Sequence, residues 1–224
     1  MTRRKETKQR VRTARQRSNA STRWLERQLN DPYVHKARAE GYRARSAYKL
    51  LEIDAKHRLL REGRRAVDLG SAPGSWSQVL ARKGIKTVGL DLLPVDPLAG
   101  VMFLEGDFRD DAVLQALRAA LGGPVDLVLS DMAASATGQR LVDRLRGEEL
   151  AELVLAFTDE VLAPGGDALI KLVKGAEPVA RAAALPRFRE VAFVRPPSTR
   201  KDSSELFMLA KGRKTVAEVA SPAR

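Results

Sequence analysis

Between Arg65 and Ala210 the chain alternates short β-rich runs with stretches of helical periodicity, and this alternation limits the fold more than any other feature. The runs are RAVDLG (65–70), KTVGLD (86–91), VMFLEG (101–106), VDLVLSD (125–131), DALIKLV (167–173), EVAFVR (190–195) and ELFMLA (205–210). Helical spacing occupies 75–83, 110–121 and 141–162. The last of these places Leu150, Val154, Phe157 and Val161 on one stripe and meets an Ala-Pro-Gly-Gly stop at 163–166. Strands separated by helices predict an α/β fold, a seven-stranded and mostly parallel sheet with helices on both faces. Ligands of such sheets bind outside the carboxyl ends of the strands, so the residues closing each run are the candidates for chemistry. Upstream, 43–60 reads as a further helix with Lys49 on its flank. Trp24, Leu25, Leu29, Tyr33 and Val34 supply apolar anchors for an arm that docks from Ser21 onward.

At 224 residues there is room for one ordinary domain and an appendage. The net charge of +12 is concentrated at one end: residues 1–50 hold 15 Lys and Arg against 4 Asp and Glu, and the remainder holds 25 against 24. A basic arm on a nearly neutral body is a polyanion-binding device, and nucleic acid or a ribosome is the natural partner. A solvated tail without a ligand is the plainer alternative. Residues 1–20 carry too few apolar side chains for the amphipathic face of a presequence, and are expected to be disordered in isolation. No apolar run exceeds five residues, which excludes a membrane-spanning helix, and no export signal is read at the N-terminus. Cysteine is absent, so disulfides, thiolate metal sites and a cysteine nucleophile are excluded; a reducing cytoplasm fits, and no metal is expected. The expected organisation is a basic tail (1–20), an RNA-binding arm and helix (21–60), a catalytic domain (61–212) and a C-terminal tail (213–224).

The first run enters the loop Asp68-Leu69-Gly70-Ser71-Ala72-Pro73-Gly74-Ser75-Trp76, which a helix follows. A dinucleotide fingerprint needs glycine where this chain has Ala72 and Ser75, the positions that let backbone approach a pyrophosphate and pack the next helix. A ligand without phosphates suits the loop better. Asp91 closes the second run, 21 residues past Gly70, where a carboxylate can accept from both ribose hydroxyls of an adenosine. Asp107, after the third, can accept from an adenine amino group. Each alone could be a cap or turn residue. Together they suit S-adenosylmethionine (SAM), an adenosine with a sulfonium cation in place of phosphates; an NAD-dependent dehydrogenase is the rival enzyme class.

Lys171 lies inside the apolar fifth run, where lysine is rarely buried unless paired. A side chain snorkelling from the strand end would explain it, but Asp131 closes the neighbouring run and could pair with it. The loop after the fourth run reads SDMA, unlike the Pro-Pro-aromatic loops used for amino methylation of bases. Carbon-5 methylation of pyrimidines needs the missing cysteine. A ribose 2′-hydroxyl remains the obvious acceptor on a polyanion, and its activation calls for a lysine base or a cationic cluster.

Several strings in order carry a resemblance: RARSAYKL (43–50), DLGSAPGSWSQ (68–78), LDLLPVDP (90–97), GDFRD (106–110), SDMA (130–133), the APGG and ALIKLV pieces of 163–173, and SSELFML (203–209). The chain resembles the FtsJ/RrmJ family of SAM-dependent 2′-O-ribose RNA methyltransferases over about residues 20–212. The resemblance implies a Rossmann-like class I methyltransferase fold with SAM as cofactor. It implies a catalytic tetrad of Lys49, Asp131, Lys171 and Glu205, and SAM contacts at Gly74, Trp76, Asp91, Asp107 and Asp131. RWLERQLNDPYVHKA, within 21–50, is similar to the bacterial members that methylate a uridine in the A-loop of 23S rRNA. The implied partner is that RNA within the large ribosomal subunit, and the implied state a monomer. A tRNA ribose methyltransferase of the same family and a non-catalytic RNA-binding assembly factor are the other readings. The sequence departs from the family pattern where SDMAAS replaces SDMAP-N, where Ser75 replaces a glycine, and where Val173-Lys174-Gly175 replaces Phe-Gln-Gly.

Overall fold

The computed structural model describes Thr13, residues 18–135 and 137–220, with the side chains of Ala20, Arg23, Trp24 and Ala220 not described. The disorder expected over 1–20 and the anchoring role of Trp24 therefore lie largely outside the described residues. Seven strands form one sheet: β1 (Arg65–Leu69), β2 (Lys86–Asp91), β3 (Val101–Glu105), β4 (Val125–Ser130), β5 (Leu162–Val173), β6 (Phe188–Val194) and β7 (Glu205–Arg213), ordered β3-β2-β1-β4-β5-β7-β6. The first five run parallel, and β7 is antiparallel to both β5 and β6. The expected α/β architecture is present. Pairing of Val173 with Glu205 starts β7 at the edge where the parallel strands end. Hence the reversed strand still delivers its first residue to the ligand-binding side.

Helices cover both faces. On one side α5 (Asp111–Leu121), α6 (Arg140–Val161) and α7 (Glu177–Ala184) pack Leu117, Leu121, Val154, Phe157, Val161 and Ala180 onto the sheet. On the other, α3 (Ala47–His57) and α4 (Ser75–Arg82) contribute Leu50, Ile53, Trp76, Val79 and Leu80. The central strands are buried on both faces, which is why their sequences are continuous apolar runs rather than alternating ones. Short polar signals set the helix ends: Asp110 accepts from Ala112 N and Val113 N before α5, and Arg58 in a left-handed conformation closes α3.

Several boundaries differ from the sequence reading. The segment around Trp24–Val34 forms two helices, α1 (Asn19–Leu29), capped by Ser18, and α2 (Pro32–Ala39), capped by Asp31 with Pro32 in its first turn. The helix expected over 43–60 narrows to α3. Ala163-Pro164-Gly165-Gly166 does end α6, but it does so as the beginning of β5, where the pairing with β4 slips between Val125 and Leu127. Helix α7 was not expected, β7 runs on to Arg213, and Val216–Ala220 forms α8. Among the described residues no helix is long and apolar enough to cross a membrane.

Candidate active site

Four ionisable side chains meet at the carboxyl edge of the sheet. Asp131 follows β4 and is fixed there by its N–H donating to Leu69 O at 3.0 Å. Parallel pairing of Ser130 with Ile170 places Lys171 alongside, with its Nζ 3.1 Å from Asp131 Oδ1 and also donating to Asp131 O. The contact to Oδ1 is an ion pair lying off the hydrogen-bond direction, so Oδ1 is a buried acceptor without an aligned donor. Lys49 reaches in from α3, its Nζ 2.6 Å from Glu205 Oε1, 3.9 Å from Asp131 Oδ1 and 5.7 Å from the centroid of the Phe207 ring. Its side chain is only 10% exposed and that of Lys171 16%, so neither snorkels into solvent. Two cations and two carboxylates form an electroneutral cluster, as burial requires.

Beside this cluster opens a cavity of about 520 Å³ between the ends of β1, β2, β3 and β4, within the range of ligand pockets. Asp91, Asp107 and Asp131 line it, together with Gly70, Ala72 and Met132. Asp91 accepts from Ala72 N at 2.8 Å and from Leu93 N at 2.9 Å, so it both shapes the loop and faces the cavity. Gly70 has φ +76°, and a Cβ there would stand 2.7 Å from Met132 N; only glycine lets the β1 loop lie against the segment carrying Asp131.

The remaining two expected contacts are placed differently. Gly74 caps α4 at φ 96°, with the Arg43 side chain lying over it, and Trp76 is a core residue whose Nε1 donates to Ser46 O at 2.9 Å. Neither lines the cavity. The side chain of Arg43 donates to Pro73 O, Asp96 O and Pro97 O and so ties the glycine loop to the segment after β2.

Other features escaped the sequence reading. Arg109 grips Asp107 by both oxygens, Nε to Oδ1 at 3.1 Å and Nη2 to Oδ2 at 2.7 Å, holding that carboxyl well below its usual range at about 2. Arg109 also lines the cavity, as do Phe108 and, from α6, Glu149, Leu150 and Leu153. Leu150 belongs to the apolar stripe of α6, so its spacing alone reads as core although it lines the cavity. Asp68, fully buried beneath the loop, accepts from Ser77 Oγ at 2.6 Å while its Oδ1 has no partner. Burial pushes its carboxyl up to about 7 against the lowering effect of the Ser77 hydrogen bond, and nearby Asp131 and Asp91 add to the rise.

Residues 42–213 match the FtsJ-like methyltransferase family. The chain belongs to that family. A ribosomal RNA large subunit methyltransferase E of Gluconobacter oxydans is 50% identical over 204 residues, 90% of this chain and 76% of the relative. Another, from Rhizorhabdus wittichii, is 48% identical over 95% of this chain and 94% of its own. Among solved structures, a ribosomal RNA methyltransferase of Plasmodium falciparum superposes with a TM-score of 0.69 at 28% identity, over 77% of this chain and 98% of that one. The fibrillarin of Aeropyrum pernix, solved with bound SAM, shares the fold at a TM-score of 0.53 and 17% identity. This FtsJ-like methyltransferase is thus a SAM-dependent enzyme with a Rossmann-like class I fold.

The cavity suits that cofactor on its own chemistry. SAM presents an ammonium, two ribose hydroxyls and an amino group as donors, and the walls offer four carboxylates, those of Asp91, Asp107, Asp131 and Glu149. The loop lacks the glycines a pyrophosphate would need.

Proposed function

We propose that the protein methylates the 2′-hydroxyl of a ribose in large-subunit ribosomal RNA, that of a uridine in the A-loop of 23S rRNA, acting as a monomer on the RNA within the large subunit. The observation that carries this reading is the cluster of Lys49, Asp131, Lys171 and Glu205 at the mouth of the cavity, with Asp131 belonging to both. The names of the close relatives support the RNA class, and the charge excess in residues 1–50 supplies phosphate contacts.

SAM, when bound, supplies a methyl group activated by the sulfonium it leaves. The chain's task is to hold Asp91 and Asp107 toward the adenosine and to present the acceptor oxygen beside Asp131. Lys171 donates to the carbonyl of Asp131 and is ion-paired with its carboxylate, and it keeps N–H capacity to meet the 2′-oxygen. In this reading Lys171 stabilises the negative charge that develops on the oxygen, while Asp131 Oδ1 accepts the hydroxyl's hydrogen bond and takes its proton as the oxygen–methyl bond forms and the sulfur–methyl bond breaks. Lys49 and Glu205 brace the pair: removing either leaves an unbalanced charge in a cluster that is mostly shielded from water.

The test is incubation of the protein and radiolabelled SAM with total RNA and with purified ribosomal subunits, followed by mapping of the labelled nucleotide. Label in the 2′-position of a 23S A-loop uridine is expected; label confined to tRNA overturns the substrate, and no label overturns the reaction. Lys171→Ala should lose about 10²- to 10³-fold in turnover while calorimetry finds SAM affinity nearly unchanged. Asp91→Ala should weaken SAM binding. Normal turnover in Lys171→Ala rejects its role.

A further inference from the structure

A second, smaller concavity of about 180 Å³ opens on the far side of the cluster, lined by residues that include Lys174, Phe193, Arg195, Ser204, Glu205 and Leu206. The sheet order explains its position. Along the carboxyl edge, β3-β2-β1-β4 hold the cofactor cavity, β4-β5-β7 hold the charged cluster, and β5-β7-β6 hold this concavity. Asp131 lines the first cavity and Glu205 the second, so the cluster forms the wall between them.

We propose that this concavity is a nucleotide subsite, which takes the residue of the RNA strand next to the methylated one, its base on Phe193 and Leu206 and its phosphate toward Lys174. The inference rests on the methylation reading above. A ribose seated on the cluster has the cofactor cavity on one side, so its strand must leave on others, and the concavity is the nearest recess on the opposite side. Its lining offers an apolar wall and a free ammonium, while its two carboxylates are engaged, Glu177 by Gly175 N–H and Glu205 by Lys49. Phe193 and Leu206 are half-buried and pack against the core from the other side, giving a firm apolar wall. The ammonium of Lys174 is exposed and makes no hydrogen bond or ion pair, whereas its backbone N–H is anchored to Ser204 O at 2.7 Å. Arg195 donates through Nη2 to the carbonyls of Arg200, Lys201 and Ser203, which fixes its side chain on the rim. The sequence departs from the family pattern here, at Val173-Lys174-Gly175.

The experiment measures binding of the full-length protein to a fluorescently labelled rRNA fragment spanning the acceptor, over a series of salt concentrations and without methyl transfer. Lys174→Ala is expected to weaken binding several-fold at low salt and to flatten the log–log salt slope by about 0.7, the loss of one single-strand phosphate contact. Phe193→Leu should weaken binding about fivefold or more, and Phe193→Tyr should restore it, because stacking needs a ring whereas packing needs only apolar volume. SAM affinity should stay unchanged in all three. A wild-type salt slope in Lys174→Ala, or equal affinity for the Leu and Tyr variants, overturns the subsite. Failure of the methylation reading would show separately, as absence of label in the transfer assay with the wild-type protein.

Discussion

Asp31→Asn should loosen the loop that delivers Glu205 to the cluster, although Asp31 lies on the N-terminal arm. The loop between β6 and β7 is pinned from outside at two points. Arg200 donates to Asp31 Oδ2 through Nε at 3.0 Å and Nη2 at 2.9 Å, and Ser198 N–H donates to Glu52 Oε2 at 2.7 Å. Arg45 joins the first point, with its Nε 2.9 Å from the same Asp31 oxygen in an ion pair off the hydrogen-bond direction, and its Nη2 bonded to Ser198 O. Asn keeps the helix cap on Tyr33 N–H, so the substitution isolates the charge. Removing one partner of a fully buried pair costs about 3–5 kcal/mol. Here the Arg45 and Arg200 side chains retain 15% and 26% exposure and can turn partly to water, which lowers the expectation to about 2–3 kcal/mol. In a chain of this size that is a fall of about 4–12 °C in melting temperature. Hydrogen exchange should accelerate over residues 195–204, and turnover should fall about tenfold or more through misplacement of Glu205, with SAM affinity intact. Arg200→Ala should reproduce the effect, and the double variant should be little worse than either single one. Wild-type exchange in the loop with wild-type turnover in Asp31→Asn would refute the coupling.

Two other perturbations follow from the glycine loop. Gly70→Ala combines a left-handed φ with a Cβ driven to within 2.9 Å of both Met132 Cα and Cγ, and should cost about 3 kcal/mol or more and abolish SAM binding; near-normal melting and calorimetry would show that the loop has another way to close. Asp68 binds its proton more tightly in the folded chain, with a pKa of about 7 against an unfolded value near 4, so stability is fullest below pH 4 on this group's account and falls as pH rises toward 7. Asp68→Asn should remove that slope from the melting temperature measured between pH 4 and 7, and an unchanged slope would assign it to other groups.

What the sequence made legible depended on whether the physics was local. The central strands were readable because a run buried on both faces must be apolar, and the carboxylates at their ends, Asp91 and Asp131, stood out against it. Helices α1 and α2 were missed because their signals are the caps Ser18 and Asp31 and the proline at the start of α2, while their few apolar residues looked like scattered anchors. Helix α7, with Pro178 and four alanines, lacks the large apolar stripe by which α6 was recognised. Ala163-Pro164-Gly165-Gly166 carries turn residues, yet sheet pairing draws it into β5, a tertiary effect that overrides local preference.

The same distinction runs through the site. Lys171 beside Asp131 could be anticipated from two runs ending together, because neighbouring parallel strands place their ends side by side. Nothing in periodicity could say that β7 enters reversed between β5 and β6, and that order alone carries Glu205 to within 2.6 Å of Lys49. Glu205 was named only through the family resemblance. The grip of Arg109 on Asp107 is local, two residues apart, and the same carboxylate that faces the cavity carries a partner of its own. Trp76 shows the converse. A residue placed by its motif beside the ligand has its polar atom spent on Ser46 and its ring against Phe207 at 5.6 Å, on the sheet face that α3 and α4 cover. Its motif position fixed that it mattered, and only packing fixed how: it joins α4 to the start of α3, the helix that carries Lys49 into the cluster.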